Sequence, residues 1–437
     1  MGLQVSGAPA VAEAPAGRRE QALALIRRGQ LPDARELLAA ELKAGPSGAA
    51  WLTDAIIEAM QFDDLRFVGD LARISAELRH GGRATVTTPS ASPAEDAACR
   101  DHSASDGRKL SAGKLRHDSD QLRYLRSVGI LDGSIDAVIA RYQQIADSLD
   151  EIGPEARRPL TDEDRAMFGE IYGRLVHIRP TPRLDRALSR SWDPVTVEDR
   201  YLTSRPGVVV IDDFLVPEAL SELRAFCLES TVWNANRYPN GRLGAFFDSG
   251  FNCPLVLQIA EELRESFPRM IGDQHRLRQL WGFKYPPQLP PDSTIHADFA
   301  AVNVNFWITP ERANRDSATG GLLIYDADAP REWDFATYNE RLDLIKDFLR
   351  RSRAEVIYVP YRENRAIIFD SDLFHATAQV DFEPSYVDHR INVTMLYGVR
   401  EHDDLHSPRS GSRVSDVTSG SSSGWRSAAF ARTRLKP

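Results

Sequence analysis

The sequence predicts an α+β protein in which an α-helical, tetratricopeptide-like N-terminal region precedes a C-terminal jelly roll. Three observations carry this reading. Apolar residues recur at helical spacing across residues 17–82 and again from about Lys114 to Leu149. At Arg205 the pattern changes to short apolar runs between Gly/Pro turns, as in a sandwich or jelly roll. A single helical insert, roughly 335–352, interrupts those runs. The expected boundaries are 1–80 helical, 81–110 a flexible linker, 111–200 a second helical segment, 201–402 the β domain and 403–437 a disordered tail.

In the first segment, Ala22, Leu23, Leu25 and Ile26 precede Gly29, and Ala34, Leu37, Leu38 and Leu42 follow it at helical spacing. Gly29, Ala34, Leu38 and Pro46 fit the second half of a tetratricopeptide repeat, although Glu41 stands where that pattern usually has Ala. A weaker helix pair carries Trp51, Ile56, Ile57, Met60, Phe67, Leu71 and Ile74. Stacked repeats need about three units for a continuous core. The region therefore reads either as a partner-binding module or as a helical extension packed on the rest of the chain. Residues 81–110 lose periodicity and are dominated by Gly, Ser, Thr, Pro and Asp. In the second helical segment Leu122, Leu125, Ile135, Val138, Ile139, Tyr142 and Ile145 supply the apolar face, and a further helix is expected over Asp162–Ile178. Val208-Val209-Val210-Ile211 reads as a short buried strand, and Pro217 starts a helix carrying Leu220, Leu223 and Phe226. Further strands are expected at 280–285, 293–298, 301–308, 320–325, 354–360, 365–370 and 390–397.

Composition narrows the function classes. The chain has 437 residues, of which 42% are hydrophobic and 27% charged, as in an ordinary globular protein. A net charge of −9 argues against a nucleic-acid partner. Three cysteines make no disulfide framework, and no apolar run reaches the ~20 residues of a membrane span. A reducing cytoplasm is the expected setting, with no membrane partner.

The chemistry centres on Thr294-Ile295-His296-Ala297-Asp298. Residues two apart on a strand share a face, so His296 and Asp298 can aim at one point. Downstream, Ile367-Ile368-Phe369 leads through Asp370-Ser371-Asp372 to His375, which a jelly roll can bring beside that pair. Two imidazoles and one carboxylate form the facial triad suited to non-haem Fe(II), with positions left open for a co-substrate and O2. Fifteen residues after His375, Arg390, Asn392 and Thr394 alternate with Ile391, Val393 and Met395. A buried Arg among hydrogen-bonding groups is a site for a carboxylate, held bidentately. Asn303 and Asn305 alternate with Val302, Val304 and Phe306 and suggest a pocket wall that contacts co-substrate or substrate. Asp370 and Asp372 are expected in turns or orienting His375 through its other ring nitrogen. His389 would point to the face opposite Arg390 and is rejected as a ligand.

Over about 205–400 these residues resemble the 2-oxoglutarate/Fe(II)-dependent dioxygenase superfamily, particularly its phytanoyl-CoA-hydroxylase-like and prolyl-hydroxylase-like members. The resemblance rests on His296-x-Asp298, the distal His375 and Arg390 in that order, with "GVVVIDDFLVPEAL" similar to the opening strand and helix of the fold. It implies a double-stranded β-helix in which His296, Asp298 and His375 hold iron and Arg390 binds the distal carboxylate of 2-oxoglutarate. Many members carry Ser or Thr two residues after the Arg, where this chain has Asn392. Tyr285 stands where prolyl-hydroxylase-like relatives place a Tyr on 2-oxoglutarate. The long gap from Asp298 to His375 is expected to carry a substrate lid. The resulting expectation is an enzyme using Fe(II), O2 and 2-oxoglutarate to hydroxylate a C–H bond of a small metabolite or a peptide- or carrier-linked amino acid, releasing succinate and CO2. A protein partner on the N-terminal helices is also expected. The competing expectation is a partner-binding helical scaffold with a non-catalytic jelly roll, or one holding Zn or Mn.

Overall fold

The computed structural model describes residues 16–43, 46–62, 64–81, 109–290, 294–400 and 431–434. The expected linker and tail fall almost wholly outside these.

Helices α1 (Ala16–Arg27), α2 (Leu31–Lys43), α3 (Pro46–Phe62) and α4 (Leu65–His80) form the first segment. Gly29 makes the turn between α1 and α2 at φ +75, a conformation that costs glycine nothing. Asp64 caps α4 by accepting from the amides of Arg66 and Phe67. These helices do not stand apart. Ala22, Ile26, Leu38, Phe67 and Leu71 lie in one core with Val304, Phe306, Val393 and Met395 of the β region. α4 crosses a later helix so closely at Gly69 that an added Cβ would lie 2.5 Å from Leu257.

The second helical segment opens with the two-residue strand β1 (Leu110–Ser111), then α5 (Ala112–Ser127) and α6 (Asp136–Ile152). Strand β2 (Arg157–Arg158) pairs with β1. The helix expected over 162–178 stops early: α7 spans Asp162–Phe168. Turns follow, which Gly173 closes at φ +69, and Leu175 then bridges to Gly81.

The β region carries two antiparallel sheets. The larger is built from β3 (Val208–Ile211), β4 (Leu243–Phe246), β5 (Leu277–Lys284), β7 (Val302–Trp307), β10 (Ala366–Asp370) and β13 (Ile391–Tyr397), in the order β3-β10-β7-β13-β5-β4. α8 (Pro194–Thr203) precedes β3, and α9 (Pro217–Glu229), α10 (Pro254–Ser266) and β6 (Gln288–Leu289) lie between the strands in sequence. The smaller sheet orders β11 (Leu373–Thr377), β8 (Leu322–Asp328), β9 (Glu355–Val359) and β14 (Ala431–Arg434), while β12 (Val380–Asp381) pairs with β6. Trp307, Ile367 and Phe369 of the larger sheet meet Leu322, Ile324, Ile357 and Val359 of the smaller in a shared interior. Two antiparallel sheets packed over one core match the expected jelly-roll architecture. The alternate residues of the larger sheet face the helices instead, which makes its strands apolar on one side and mixed on the other.

Three sequence expectations change in detail. Residues 293–298 form no described strand; His296 makes a single antiparallel bridge, to His375. His375 lies on its own strand, β11, after the turn at Ser371-Asp372. The insert is two helices, α11 (Phe335–Glu340) and α12 (Leu342–Ser352), packed on the outer face of the smaller sheet through Tyr338, Ile345, Leu349, Phe374 and Ala376. It braces the segment between the first two triad residues: the Tyr338 carbonyl accepts from the Ala297 amide at 3.1 Å, and the Asn339 side chain donates to the Ala297 carbonyl at 3.0 Å.

Candidate functional site

His296, Asp298 and His375 come together in the structure, with one ligand atom from each lying within 4.8 Å of the others. The backbone produces this convergence. His296 and His375 exchange both backbone hydrogen bonds, at 3.1 and 2.8 Å, so their side chains share a face and their rings lie 4.5 Å apart. The Asp298 amide then bonds the Ser371 carbonyl, placing the carboxylate under the two rings.

Both imidazoles are oriented in the same way. His296 Nδ1 lies 2.7 Å from the Thr294 carbonyl, and His375 Nδ1 lies 3.0 Å from the Leu373 carbonyl. A carbonyl only accepts, so each Nδ1 carries the proton and each Nε2 presents a lone pair. Those Nε2 atoms face Asp298, at 3.8 Å for His296 and 3.5 Å for His375. The expected role of Asp370 or Asp372 in orienting His375 is not what forms: Leu373 does this, and Asp372 instead accepts from Arg400 Nε at 2.6 Å. Burial, with His375 beside it, holds the His296 imidazole down to about 4. Burial pushes the Asp298 carboxyl up, but the neighbouring His375 and His296 rings and the Asn303 amide more than offset it and leave it below the ordinary carboxylate value. The result at neutral pH is a carboxylate beside a neutral His296 imidazole, the protonation states a divalent cation requires. The His296 side chain is 27% exposed, so the cluster is reachable.

Asn303 and Asn305 line the interior face of β7, where alternation puts them, and Asn392 and Thr394 stand beside them on β13. They form a chain. Asn303 Nδ2 donates to Asp298 Oδ2 at 2.6 Å, and Asn305 Nδ2 donates to Asn303 Oδ1 at 2.5 Å. Asn392 Nδ2 and Thr394 Oγ1 both donate to Asn305 Oδ1, at 2.8 and 2.7 Å.

Arg390 is fully buried. Its Nε donates to the Gly320 carbonyl at 2.7 Å, but Nη1 and Nη2 have no hydrogen-bond partner. The guanidinium carbon lies 4.5, 5.4 and 5.9 Å from the ring centres of Tyr285, Trp307 and Tyr361. Tyr285 links it to the triad, since its hydroxyl lies 3.0 Å from Thr377 Oγ1, two residues beyond His375 on β11. Burial raises the Tyr285 phenol, and the positive charges of Arg390 and Arg242 more than cancel that, leaving it below its usual value. His389 lies away from the triad, with its ring 6.2 Å from that of Tyr386.

Three contacts were not visible in the sequence reading: the Gly320 carbonyl on Arg390, Thr377 on Tyr285, and Arg242. Gly320 offered a signal, because a Gly-Gly pair at a strand entrance marks a special backbone; it sits at φ +77. Arg242 offered none.

No family model matches the chain, and no curated protein matches it. Among solved structures it is similar to a prolyl hydroxylase from Trichoplax adhaerens in complex with a hypoxia-inducible-factor oxygen degradation domain peptide, at 16% identity, covering 49% of this chain and 93% of that one, with a TM-score of 0.31. It is also similar to SnoK, a non-heme α-ketoglutarate-dependent carbocyclase from nogalamycin biosynthesis (13% identity, 52% and 95% covered, TM-score 0.35). EctD from S. alaskensis, with bound Fe, gives 14% identity, 51% and 84% covered, and a TM-score of 0.33. Similarity of this size transfers no residue role, so the chemistry is read from the side chains.

Proposed function

We propose that the protein is an Fe(II)/2-oxoglutarate-dependent dioxygenase of the double-stranded β-helix type. The observation that carries this reading is a buried guanidinium with two unpaired nitrogens sharing an interior with a two-imidazole, one-carboxylate cluster. An unpaired buried charge is costly, and a ligand carboxylate removes the cost. The donor set fits the metal: two nitrogen lone pairs and one carboxylate on one face suit Fe(II) and leave positions for a chelating oxoacid and O2. When bound, iron would couple decarboxylation of 2-oxoglutarate to oxidation of a substrate C–H bond, releasing succinate and CO2.

The protein's own residues have defined tasks in this reading. His296, Asp298 and His375 hold the metal. Thr294 and Leu373 fix the tautomers of the two imidazoles, and Asn303 fixes the carboxylate. Arg390, seated by the Gly320 carbonyl, holds the distal carboxylate of 2-oxoglutarate, with Tyr285 against it. Asn305, Asn392 and Thr394 make the wall between that pocket and Asp298. Trp307 and Tyr361 close the interior behind Arg390 and keep water from it. Hydroxylation of a small molecule or of a peptide- or carrier-linked amino acid is the reaction this arrangement serves.

The test is anaerobic titration with Fe(II) and 2-oxoglutarate, following the visible charge-transfer band of the chelate. The band is expected in the wild type and absent in Asp298→Ala and Arg390→Gln. A folded, iron-supplied protein with no band, or with an unchanged band in both variants, overturns the assignment.

A further inference from the structure

A second buried arginine faces the same interior. Strand β4 pairs with β5 so that Leu243 lies opposite Lys284 and Gly244 opposite Phe283. Continuing that register sets Arg242 opposite Tyr285, and directly opposed residues share a face of the sheet. Arg242 is 8% exposed. Its guanidinium carbon lies 4.7 Å from the ring centre of Phe283, 4.8 Å from Tyr238 and 5.9 Å from Tyr285. Among the described residues its guanidinium meets aromatic rings and the Tyr285 hydroxyl, with no ion pair to a carboxylate. It reaches the site through Tyr285, whose ring centre lies 5.9 Å from the guanidinium carbon and whose hydroxyl lies 3.0 Å from Thr377 Oγ1, two residues beyond His375.

The same face continues outward from Arg242 as aromatic surface. Phe246 lies opposite Trp281, and Phe283 packs edge-on to Tyr238 with ring centres 4.9 Å apart. All four rings are partly exposed. They close over Gly244, where an added Cβ would meet Phe246, Phe283 and Tyr238 at 3.1–3.2 Å. The strands thus present flat, partly exposed rings leading inward to a cation without a counter-ion.

We infer that Arg242 receives the primary substrate, which carries an anionic head, carboxylate or phosphate, on a flat apolar body that lies against Phe246, Trp281 and Phe283. The two arginines divide the work. Arg390, fully buried behind Tyr285, takes the co-substrate carboxylate; Arg242, nearer the solvent-facing rings, takes the substrate anion. Ring faces stabilise the guanidinium and one N–H is shared with the Tyr285 hydroxyl, which leaves further in-plane N–H groups for an anion. This inference rests on the oxygenase reading of the triad.

The experiment uses the full chain with saturating 2-oxoglutarate and Zn(II), which is diamagnetic and does not react with O2. The probes are para-fluorophenylacetate, para-fluorophenyl phosphate and the neutral para-fluorophenylacetamide, titrated by fluorine NMR. The carboxylate, the phosphate or both should bind roughly tenfold or more tighter than the amide, the size of a charge-assisted hydrogen bond. Which anion binds tighter identifies the head group. Arg242→Gln should remove the preference and leave 2-oxoglutarate binding, read from its own proton signals, intact. Arg242→Lys, which keeps the charge, should retain a reduced preference and decides the matter if Arg242→Gln does not fold. Equal binding of anions and amide, no binding of any probe, or a preference unchanged in Arg242→Gln overturns the inference. So does a loss confined to 2-oxoglutarate binding, which would make Arg242 a co-substrate residue. Anion preference at Arg242 without any 2-oxoglutarate binding would uphold the assignment of Arg242 and overturn the oxygenase reading instead.

Discussion

Replacing Arg390 with Met separates its place in the fold from its place in the chemistry. The side chain is fully buried with one hydrogen bond, from Nε to Gly320, and two nitrogens without partners. Methionine fills a similar flexible volume and forfeits that hydrogen bond, about 1.5–3 kcal/mol for a charged donor. It also forfeits attraction to the Tyr285, Trp307 and Tyr361 rings, about 0.5–2 kcal/mol each in a desolvated setting. Against this it removes two buried unsatisfied donors at about 1–3 kcal/mol each, more for a charged group. These terms nearly cancel, so the ligand-free variant should lie within about 2 kcal/mol of wild type, well short of the ~3–5 kcal/mol lost when one partner of a satisfied buried ion pair is removed. Binding should behave very differently. At a 2-oxoglutarate concentration one hundred times its wild-type Kd, the wild-type protein gains about 2.7 kcal/mol. Losing the guanidinium should weaken binding about a hundredfold or more, which cuts that gain to about 0.4 kcal/mol or less at the same concentration. Urea unfolding of both proteins, with and without 2-oxoglutarate in the presence of Mn(II), measures all four stabilities. A variant that keeps the full ligand-induced gain would refute the role given to Arg390. One destabilised by more than about 4 kcal/mol without ligand would show that the guanidinium is already satisfied.

The neighbours of the triad make further expectations. Asn303→Ala removes the amide on Asp298 Oδ2 and should lower metal affinity by about 10–100-fold while the protein stays folded, measured by calorimetric titration with Mn(II). Gly320→Ala puts a Cβ 2.7 Å from Phe382 at a φ of +77 and should destabilise by about 2–4 kcal/mol in urea unfolding. It should also weaken 2-oxoglutarate binding, because the Gly320 carbonyl seats Arg390. Burial holds His117 down to about 4 and His389 to about 3, from an ordinary 6.5. Their folded values are depressed, so the unfolded chain takes up protons first as pH falls from about 6.5 towards 4, and stability is lost over that window by up to about 1.4 kcal/mol per pH unit for each ring. His117→Phe should shrink the stability difference between pH 7 and pH 5 by about 2 kcal/mol, and an unchanged difference would put the acid sensitivity elsewhere.

Much of this site was legible because its residues lie on strands whose other face is uniformly apolar. Val302, Val304 and Phe306 must face the helices, which leaves Asn303, Asn305 and Trp307 pointing inward; Ile391, Val393 and Met395 do the same for Asn392 and Thr394. The two histidines were legible as candidates, but their convergence depends on a backbone bridge between residues 79 positions apart by sequence number. The strand expected at 293–298 forms only that bridge, because Ala297 is held by α11 and Asp298 by Ser371 and not by a continuous neighbouring strand. Arg242 was invisible for a related reason. Its strand, Leu243–Phe246, is four residues with a glycine inside and has no period to detect. Its meaning comes from Tyr285 across the strand pair. The helix expected over 162–178 ends at Phe168 and gives way to turns, which Gly173 with its left-handed backbone closes before Leu175; helical spacing of apolar residues does not register that change.

The amide chain on β7 and β13 has a direction that explains why these positions carry Asn and Thr instead of the carboxylates or lysines that would also satisfy a polar interior. Each link donates towards Asp298: Asn392 and Thr394 to Asn305, Asn305 to Asn303, and Asn303 to the carboxylate. An amide can both accept and donate, so a run of them aligns only if one end is a pure acceptor. Ionised Asp298 is that end. A carboxylate at position 303 would repel it, and a lysine would neutralise it and compete with a metal for its lone pairs. Neutral, aligned amides stabilise the anion without removing its capacity to bind a cation, and polarisation along the chain strengthens each bond. Asn305→Asp therefore tests the chain without touching a metal ligand: it replaces the donor to Asn303 with an acceptor, frees that amide to rotate, and should weaken metal binding although position 305 is one residue removed from the carboxylate. Metal affinity equal to wild type in a folded Asn305→Asp would show that Asn303 alone sets Asp298 and that the rest of the chain is packing.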